Sequence, residues 1–200
     1  ATLWPEIRKL YGHGNEIRAV AAHCKGDLIA SASSALTSAA ASIWIWSRNQ
    51  SWKPLGTLEG ATLTVTALAF TPSTAKHDCL LAASRDRHVC LFAPRSADAP
   101  RGAFDENGWR LVSRFKAHDR EIYAAAWAPC GTIFATAGRD KKVKTWRIAG
   151  EDEECQLVCE LPKCSAAPTS IAFCSKSSDG TLRLAVGFDD GAIEVHTSPL

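Results

Sequence analysis

The chain has 200 residues, a formal charge of +2, 46% apolar residues and 22% charged residues. That balance supports a buried core and excludes a disordered, highly charged chain. The charge is too small to draw nucleic acid or a membrane surface by bulk attraction, and no apolar run approaches the roughly 18 residues of a membrane-crossing helix.

In chain order, residues 3–11 read as a strand leading into Gly12-His13, and the opening Ala1-Thr2-Leu3-Trp4-Pro5-Glu6 lacks the basic-then-apolar order of a secretory leader. A strand from Ile17 to Ala22, a turn at Gly26 and a strand through Ser31 follow. A loop of small residues from 33 to 41 then enters Ser42-Ile43-Trp44-Ile45-Trp46. Residues 51–58 form a further strand, and the order begins again with Val65 to Phe70 and Leu80-Leu81-Ala82-Ala83-Ser84. The turn Arg85-Asp86-Arg87 leads into His88-Val89-Cys90-Leu91-Phe92, and a long Pro-, Asp- and Gly-bearing loop spans 94–108.

The third unit is the most complete. Residues 109–116 make a strand, and Ile122-Tyr123-Ala124-Ala125-Ala126-Trp127 is a strand of small and aromatic residues. Ala128-Pro129-Cys130-Gly131 is turn chemistry, residues 132–137 form the next strand, and Gly138-Arg139-Asp140-Lys141 is a tight turn. Lys142-Val143-Lys144-Thr145-Trp146 alternates polar and apolar residues, as a half-exposed strand does. A strand at 155–161 follows, then a fourth unit through Phe173, Leu184-Ala185-Val186-Gly187 and Asp190-Gly191-Ala192-Ile193-Glu194-Val195-His196.

Asp stands six residues before Phe92, Trp146 and His196, and the end points Trp46, Phe92, Trp146 and His196 lie 46, 54 and 50 residues apart. Self-similarity at that period means a repeat architecture. We expect an all-β protein of four four-stranded repeats (3–47, 51–93, 109–147 and 155–196), sixteen strands with no helix. Sheets this small bury their faces by stacking radially, so the expected fold is a β-propeller. The chain has no Met and both ends fall beside strand-like segments, so a fragment of a longer polypeptide is expected, an open arc of a seven-bladed ring. Pairing of residues 3–11 with the last strand, closing four blades, is the alternative.

Gly12-His13, the Asp turns and the terminal Trp46 and Trp146 resemble the WD-repeat signature. The resemblance implies a structural hydrogen-bond network of His118, Thr136, Asp140 and Trp146. The first unit keeps His13, Ser31 and Trp46, with Ala40 at the Asp position; the second keeps Ser84 and Asp86, with Ala61 or its neighbours in place of His. His118 and Asp140 look like a catalytic dyad on paper, but the structural reading is preferred. The residues around each Asp turn face the rim that carries the Gly-His loops. Arg85, Arg87, Arg120, Arg139, Lys141 and Lys142 are therefore candidates for a basic partner-binding rim.

Other chemistry finds no support. Cys24, Cys79, Cys90, Cys130 and Cys174 read as small buried hydrophobes, and Cys155, Cys159 and Cys164 lack zinc spacing. Asp189-Asp190-Gly191 reads as a strand turn rather than a calcium loop. With no nucleophile elbow, phosphate loop or zinc-protease motif, no catalytic residue, cofactor or metal is assigned. Trp4, Trp44, Trp52, Trp109 and Trp127 read as blade packing. Unpaired thiols suit a reducing, intracellular compartment.

Leu3-Trp4-Pro5-Glu6 with Lys9-Leu10-Tyr11-Gly12-His13-Gly14 and Glu16 is not required by a propeller. With Leu63-Thr64-Val65-Thr66, Ser84-Arg85-Asp86-Arg87, His118-Asp119-Arg120 and Arg139-Asp140-Lys141-Lys142-Val143, it resembles the family of Elongator second subunits. The resemblance implies part of the second of two propellers and a non-catalytic scaffold in the complex that modifies wobble uridines of transfer RNA. Its partners would be the catalytic and large scaffold subunits, in the cytoplasm and nucleus. Loop Arg and Lys could touch transfer-RNA phosphates without base specificity, but the turns carry no stacking aromatics to read bases, and direct contact is not the favoured reading. The alternative is a generic WD-repeat adaptor such as a ubiquitin-ligase substrate receptor.

Overall fold

The computed structural model describes residues 5–75, 78–95, 108–149, 154–174 and 181–199. Among them are fifteen strands in four antiparallel sheets. The first sheet contains β1 (Ile17–Ala22), β2 (Leu28–Ser33), β3 (Ile43–Ser47) and β4 (Lys53–Leu58) in that order. The second runs β5 (Val65–Phe70), β6 (Leu80–Ser84), β7 (His88–Pro94) and β8 (Trp109–Lys116). The third runs β9 (Ile122–Trp127), β10 (Ile133–Gly138), β11 (Lys142–Ala149) and β12 (Glu154–Glu160). The fourth has three strands, β13 (Pro168–Phe173), β14 (Thr181–Phe188) and β15 (Ile193–Pro199). One 3-10 turn, Arg48–Gln50, links β3 to β4 through Ser51 and Trp52, both in the left-handed region. No helix among the described residues is long and apolar enough to cross a membrane.

Two expectations are corrected. Leu3 and Trp4 of the predicted first strand lie outside the described residues, and residues 5–11 form no strand. Ile7 and Tyr11 there are exposed. A strand exists only through its ladder, and among the described residues no inner strands precede this segment to supply one. The first repeat accordingly has three strands, not four, and the fourth sheet has three strands, with β15 at its edge. Most of the 94–108 loop also lies outside the described residues.

Each of the first three sheets begins with the core of one repeat and ends with the first strand of the next. β4, β8 and β12 each pair with the third strand of the sheet before their own repeat. The innermost strands pack in succession, β1 on β5, β5 on β9 and β9 on β13, while β1 and β13 are not packed together in this way. The sheets therefore fan into an arc.

The core lies between sheets. Ile43, Ile45, Leu80 and Phe92 meet in the first interface, Leu81, Leu91, Phe134 and Trp127 in the second, and Val143, Leu184 and Val186 in the third. In β6 all five residues are buried. Leu80 and Ala82 face one interface, and Leu81 and Ala83 the other. Covered on both faces, such a strand reads as a continuous apolar run. Trp127 meets Phe134 edge-on at 5.2 Å and Trp109 meets Phe70 at 5.8 Å, geometries that suit aromatic quadrupoles.

The Phe134→Ala variant should lose about 3–5 kcal/mol, because the side chain is fully buried between two sheets that cannot collapse independently. Urea unfolding measures this; a loss below about 1 kcal/mol would show that the second interface is not a packed core.

Candidate functional site

In the third sheet, turn and strand are tied by one line of hydrogen bonds. The Trp146 indole N–H donates to Thr136 Oγ1 at 2.9 Å, and Thr136 Oγ1 lies 2.8 Å from His118 Nε2. His118 Nδ1 lies 2.9 Å from Asp140 Oδ1. Asp140 also accepts the backbone N–H of Asp119 at 2.9 Å and of Lys142 at 3.3 Å. Neutral His118 protonated on Nδ1 satisfies every bond in one direction, with the Thr136 hydroxyl donating to Nε2. Burial lowers the pKa of His118, outweighing the opposing pull of Asp140.

The same atoms resemble a hydroxyl-histidine-carboxylate triad. A triad needs its hydroxyl open to substrate, whereas Thr136 is 0% exposed and His118 1%. The arrangement can hold a turn; it offers no route for a reacting carbonyl. Gly138 shows how closely it is packed, since a Cβ there would lie 2.5 Å from His118 Nδ1 and 2.7 Å from Asp140 Oδ1.

The first sheet keeps the upper half. His13 Nε2 lies 2.8 Å from Ser31 Oγ, and the Trp46 N–H donates to the same oxygen at 2.7 Å. With Ala40 in place of the acid, His13 instead leans on the Trp44 ring, at 5.2 Å between centroids. Burial lowers its pKa as well.

The second sheet keeps the lower half, and here the sequence assignment of Ser84 is corrected. The ladder pairs Ser84 with Val65 as it pairs Gly138 with Ile122, so Ser84 stands where Gly138 does. Ala82 occupies the position of Thr136, and Ala61 that of His118. Ser84 fills space that the histidine ring takes in the third sheet. Its hydroxyl lies within 3.2 Å of the Leu63 and Thr64 carbonyls and receives the Asp86 N–H. Thr62 supplies the missing donor, giving Asp86 both its N–H at 2.8 Å and its hydroxyl at 2.9 Å, while the His88 N–H bonds the other oxygen. Burial pushes the Asp86 carboxyl up, but these donors outweigh it and hold it below the usual range. In the fourth sheet the work is split: Asp189 accepts the Ala167 N–H and Asp190 the Ala192 N–H.

The proposed rim is partly self-neutralised. Arg85 donates to Glu121 at 2.8 Å and Arg139 lies 3.7 Å from the same carboxylate. Lys142 pairs with Glu160 at 2.9 Å, and Lys141 donates to the Ser165 carbonyl. Arg87 and Arg120 are exposed and form no ion pair among the described residues. Sequence reasoning missed Glu121, although it lies three residues after His118 in the same loop. It also missed Lys144, which donates to the Ala117 carbonyl at 2.8 Å and sits over the Trp146 ring.

No metal-binding group of His, Cys, Asp or Glu occurs among the described residues. Cys79 and Cys90 are buried, and burial pushes the Cys90 thiol up to about 12, which removes it as a nucleophile. Cys24 and Cys174 are exposed rather than buried, because each stands just past the end of a strand.

Small radially packed sheets, joined strand by strand and pinned by His–Ser/Thr–Trp relays, define a repeat propeller of the WD type. The family model for the WD domain, G-beta repeat, matches residues 4–47, 52–92 and 109–147, and the chain belongs to that family. Its curated relatives include Elongator complex protein 2 of Arabidopsis thaliana, 37% identical over 97% of this chain and 22% of the relative. Those of Dictyostelium discoideum and Homo sapiens are 36% and 33% identical over 99% and 98% of the chain. The chain thus spans about a quarter of those relatives' length, 22% and 24% respectively. The crystal structure of Saccharomyces cerevisiae Sqt1 shares the fold, with TM-score 0.73 and 19% identity over 92% of this chain and 45% of that one.

Two outcomes check the relay. His118 and His13 have depressed pKa values in the folded state, so the unfolded chain binds protons that the folded chain does not. Stability is therefore full above about pH 6.5 and falls as pH drops below it, by up to about 1.4 kcal/mol per pH unit for the buried His118 and by less for His13, which water screens in part. Urea midpoints at pH 7.5 and 5.5 should show this fall, and His118→Gln should flatten it; an unchanged slope would contradict a buried neutral His118. Separately, Thr136→Ala should cost about 1–3 kcal/mol by stranding two buried groups. It should cost less in a Trp146→Phe background, which copies the Ala82/Phe92 solution of the second sheet. Additive losses in that double-mutant cycle would dismiss the coupling.

Proposed function

We propose that this chain is a propeller segment of an Elongator second subunit, acting as a non-catalytic scaffold. In this reading it helps to assemble the catalytic and large scaffold subunits, and so supports wobble-uridine modification of transfer RNA in the cytoplasm and nucleus. The observation that carries the proposal is similarity to Elongator complex protein 2 over almost the whole chain. The sealed relay supports a scaffold, since its polar groups are spent on one another. The contact surface we assign is the rim around Arg87 and Arg120, which form no ion pair among the described residues, unlike Arg85 and Arg139. Unpaired arginines at a rigid rim suit an acidic protein surface.

Affinity purification of the tagged chain from cells, followed by mass spectrometry, tests both parts. Recovery of the other Elongator subunits is expected, with at least about a tenfold loss for the Arg87→Glu/Arg120→Glu variant. Recovery of ubiquitin-ligase components instead would reject the Elongator reading. Undiminished recovery with the double variant would reject the rim.

A further inference from the structure

Each innermost strand is followed by a residue whose backbone N–H donates back across the turn. His23 bonds the Leu28 carbonyl, Thr71 that of Cys79, Ala128 that of Ile133 and Cys174 that of Arg183, at 2.8 to 2.9 Å. The fold therefore asks for no particular side chain at this position, and the histidine of the first sheet is not part of the repeat. His23 is 5% exposed, with its ring edge-on to Phe70 at 5.2 Å. Its Nδ1 lies 2.7 Å from Asp27 Oδ1. Its Nε2 lies 3.9 Å from Cys24 Sγ and 3.7 Å from Asp78 Oδ1. Cys24 is exposed, and the ammonium of the next residue, Lys25, lies 3.2 Å from Asp78 Oδ2.

Cys24, His23 and Asp27 thus stand in the order nucleophile, base and orienting carboxylate. The Thr136 relay has similar parts but seals its hydroxyl from solvent; here the nucleophile is open. Asp27 accepts the Nδ1–H of His23, which leaves the Nε2 lone pair facing the thiol. The thiolate is the reactive form of cysteine, and a base within reach supplies it. Lys25 adds a positive charge beside the sulfur. Asp78 opposes an anion there, and its pairing with Lys25 reduces that opposition. The other thiols lack this setting. Cys79 and Cys90 are buried, while Cys159 and Cys174 are exposed but bond no imidazole or ammonium among the described residues.

We propose that Cys24 is a modification site, which exchanges with low-molecular-weight disulfides to form a reversible mixed disulfide. The thiol proton passes to His23 Nε2, and the Cys24 thiolate bonds one sulfur of the incoming disulfide. The S–S bond of that disulfide breaks, and the departing thiolate takes the proton from His23. One disulfide is lost and one gained; the Cys24 sulfur is oxidised and the released sulfur reduced, so no other oxidant is needed. The attached group stands next to the Lys25–Asp78 pair, which ties this turn to the loop between β5 and β6. The proposal uses none of the rim arginines and does not depend on the Elongator reading.

The test treats the chain with 2-hydroxyethyl disulfide and follows each cysteine by peptide mass spectrometry. At about pH 7, Cys24 should be modified at least about tenfold faster than Cys159 and Cys174, which are also exposed. The advantage should shrink at about pH 9.5, where ordinary thiols ionise without a base. His23→Gln should bring Cys24 to the rate of the other two, and Asp27→Asn should lower it in part, because the ring loses its fixed orientation. The buried Cys79 and Cys90 report on folding. Where His23→Gln opens them to the reagent, Asp27→Asn, a change at a partly exposed carboxylate, decides in its place. Cys24 no faster than Cys159 and Cys174, an advantage unchanged at about pH 9.5, or an undiminished Cys24 rate in the deciding variant would each overturn the proposal.

Discussion

Each inner sheet of this protein is apolar on both faces, and neither face can remain in water. β6 makes the constraint plain, because alternate residues of one short strand feed two different cores. A four-stranded sheet has too little area to bury both faces by itself, so stability belongs to the interfaces and not to the sheets. Radial stacking then follows, and with it a rim, an axis and loops at fixed positions. Everything that could serve a function is placed by that packing.

The relays act on a different part of the problem. They fix turns whose backbone N–H groups would otherwise lack partners at the ends of the strands. The three best-defined sheets solve this with different subsets of one atom pattern. Where the indole is kept, a hydroxyl meets it, as in Thr136 with Trp146 and Ser31 with Trp46. Where the indole is Phe92, the hydroxyl becomes Ala82, because no N–H remains to be satisfied. Where the imidazole is present beside the Asp, Gly138 makes room for it; where it is absent, Ser84 fills the space. Loss of one partner is matched by loss or replacement of the other, as the cost of an unpaired buried polar group requires.

The polar network and the exposed surface charges are therefore separate. The histidines and acids of the relay are turned inward and spent on each other. At the rim, Arg87 and Arg120 form no ion pair among the described residues.

Much of this could be read directly from the chain. The spacing from Asp86 to Phe92 and from Asp140 to Trp146 identified the repeat, because strand and turn lengths are local properties. The alternation in residues 142–146 and the apolar run in residues 80–83 gave the strand type, since side-chain direction has period two. The His118–Thr136–Asp140–Trp146 group came from family resemblance, and its residues do converge. Tertiary structure decided the rest. Ser84 was misplaced because a hydroxyl near an Asp looks the same in sequence whether it sits two or four residues away; only the ladder register separates them. Residues 5–11 have strand composition but no strand, since a ladder needs a neighbour that composition cannot supply. Glu121 cancels two arginines from different sheets, and Arg18, Thr66, Tyr123 and Thr169 share a cavity while lying about fifty residues apart. Such contacts depend on how sheets fan around an axis, a long-range arrangement that no local spacing encodes.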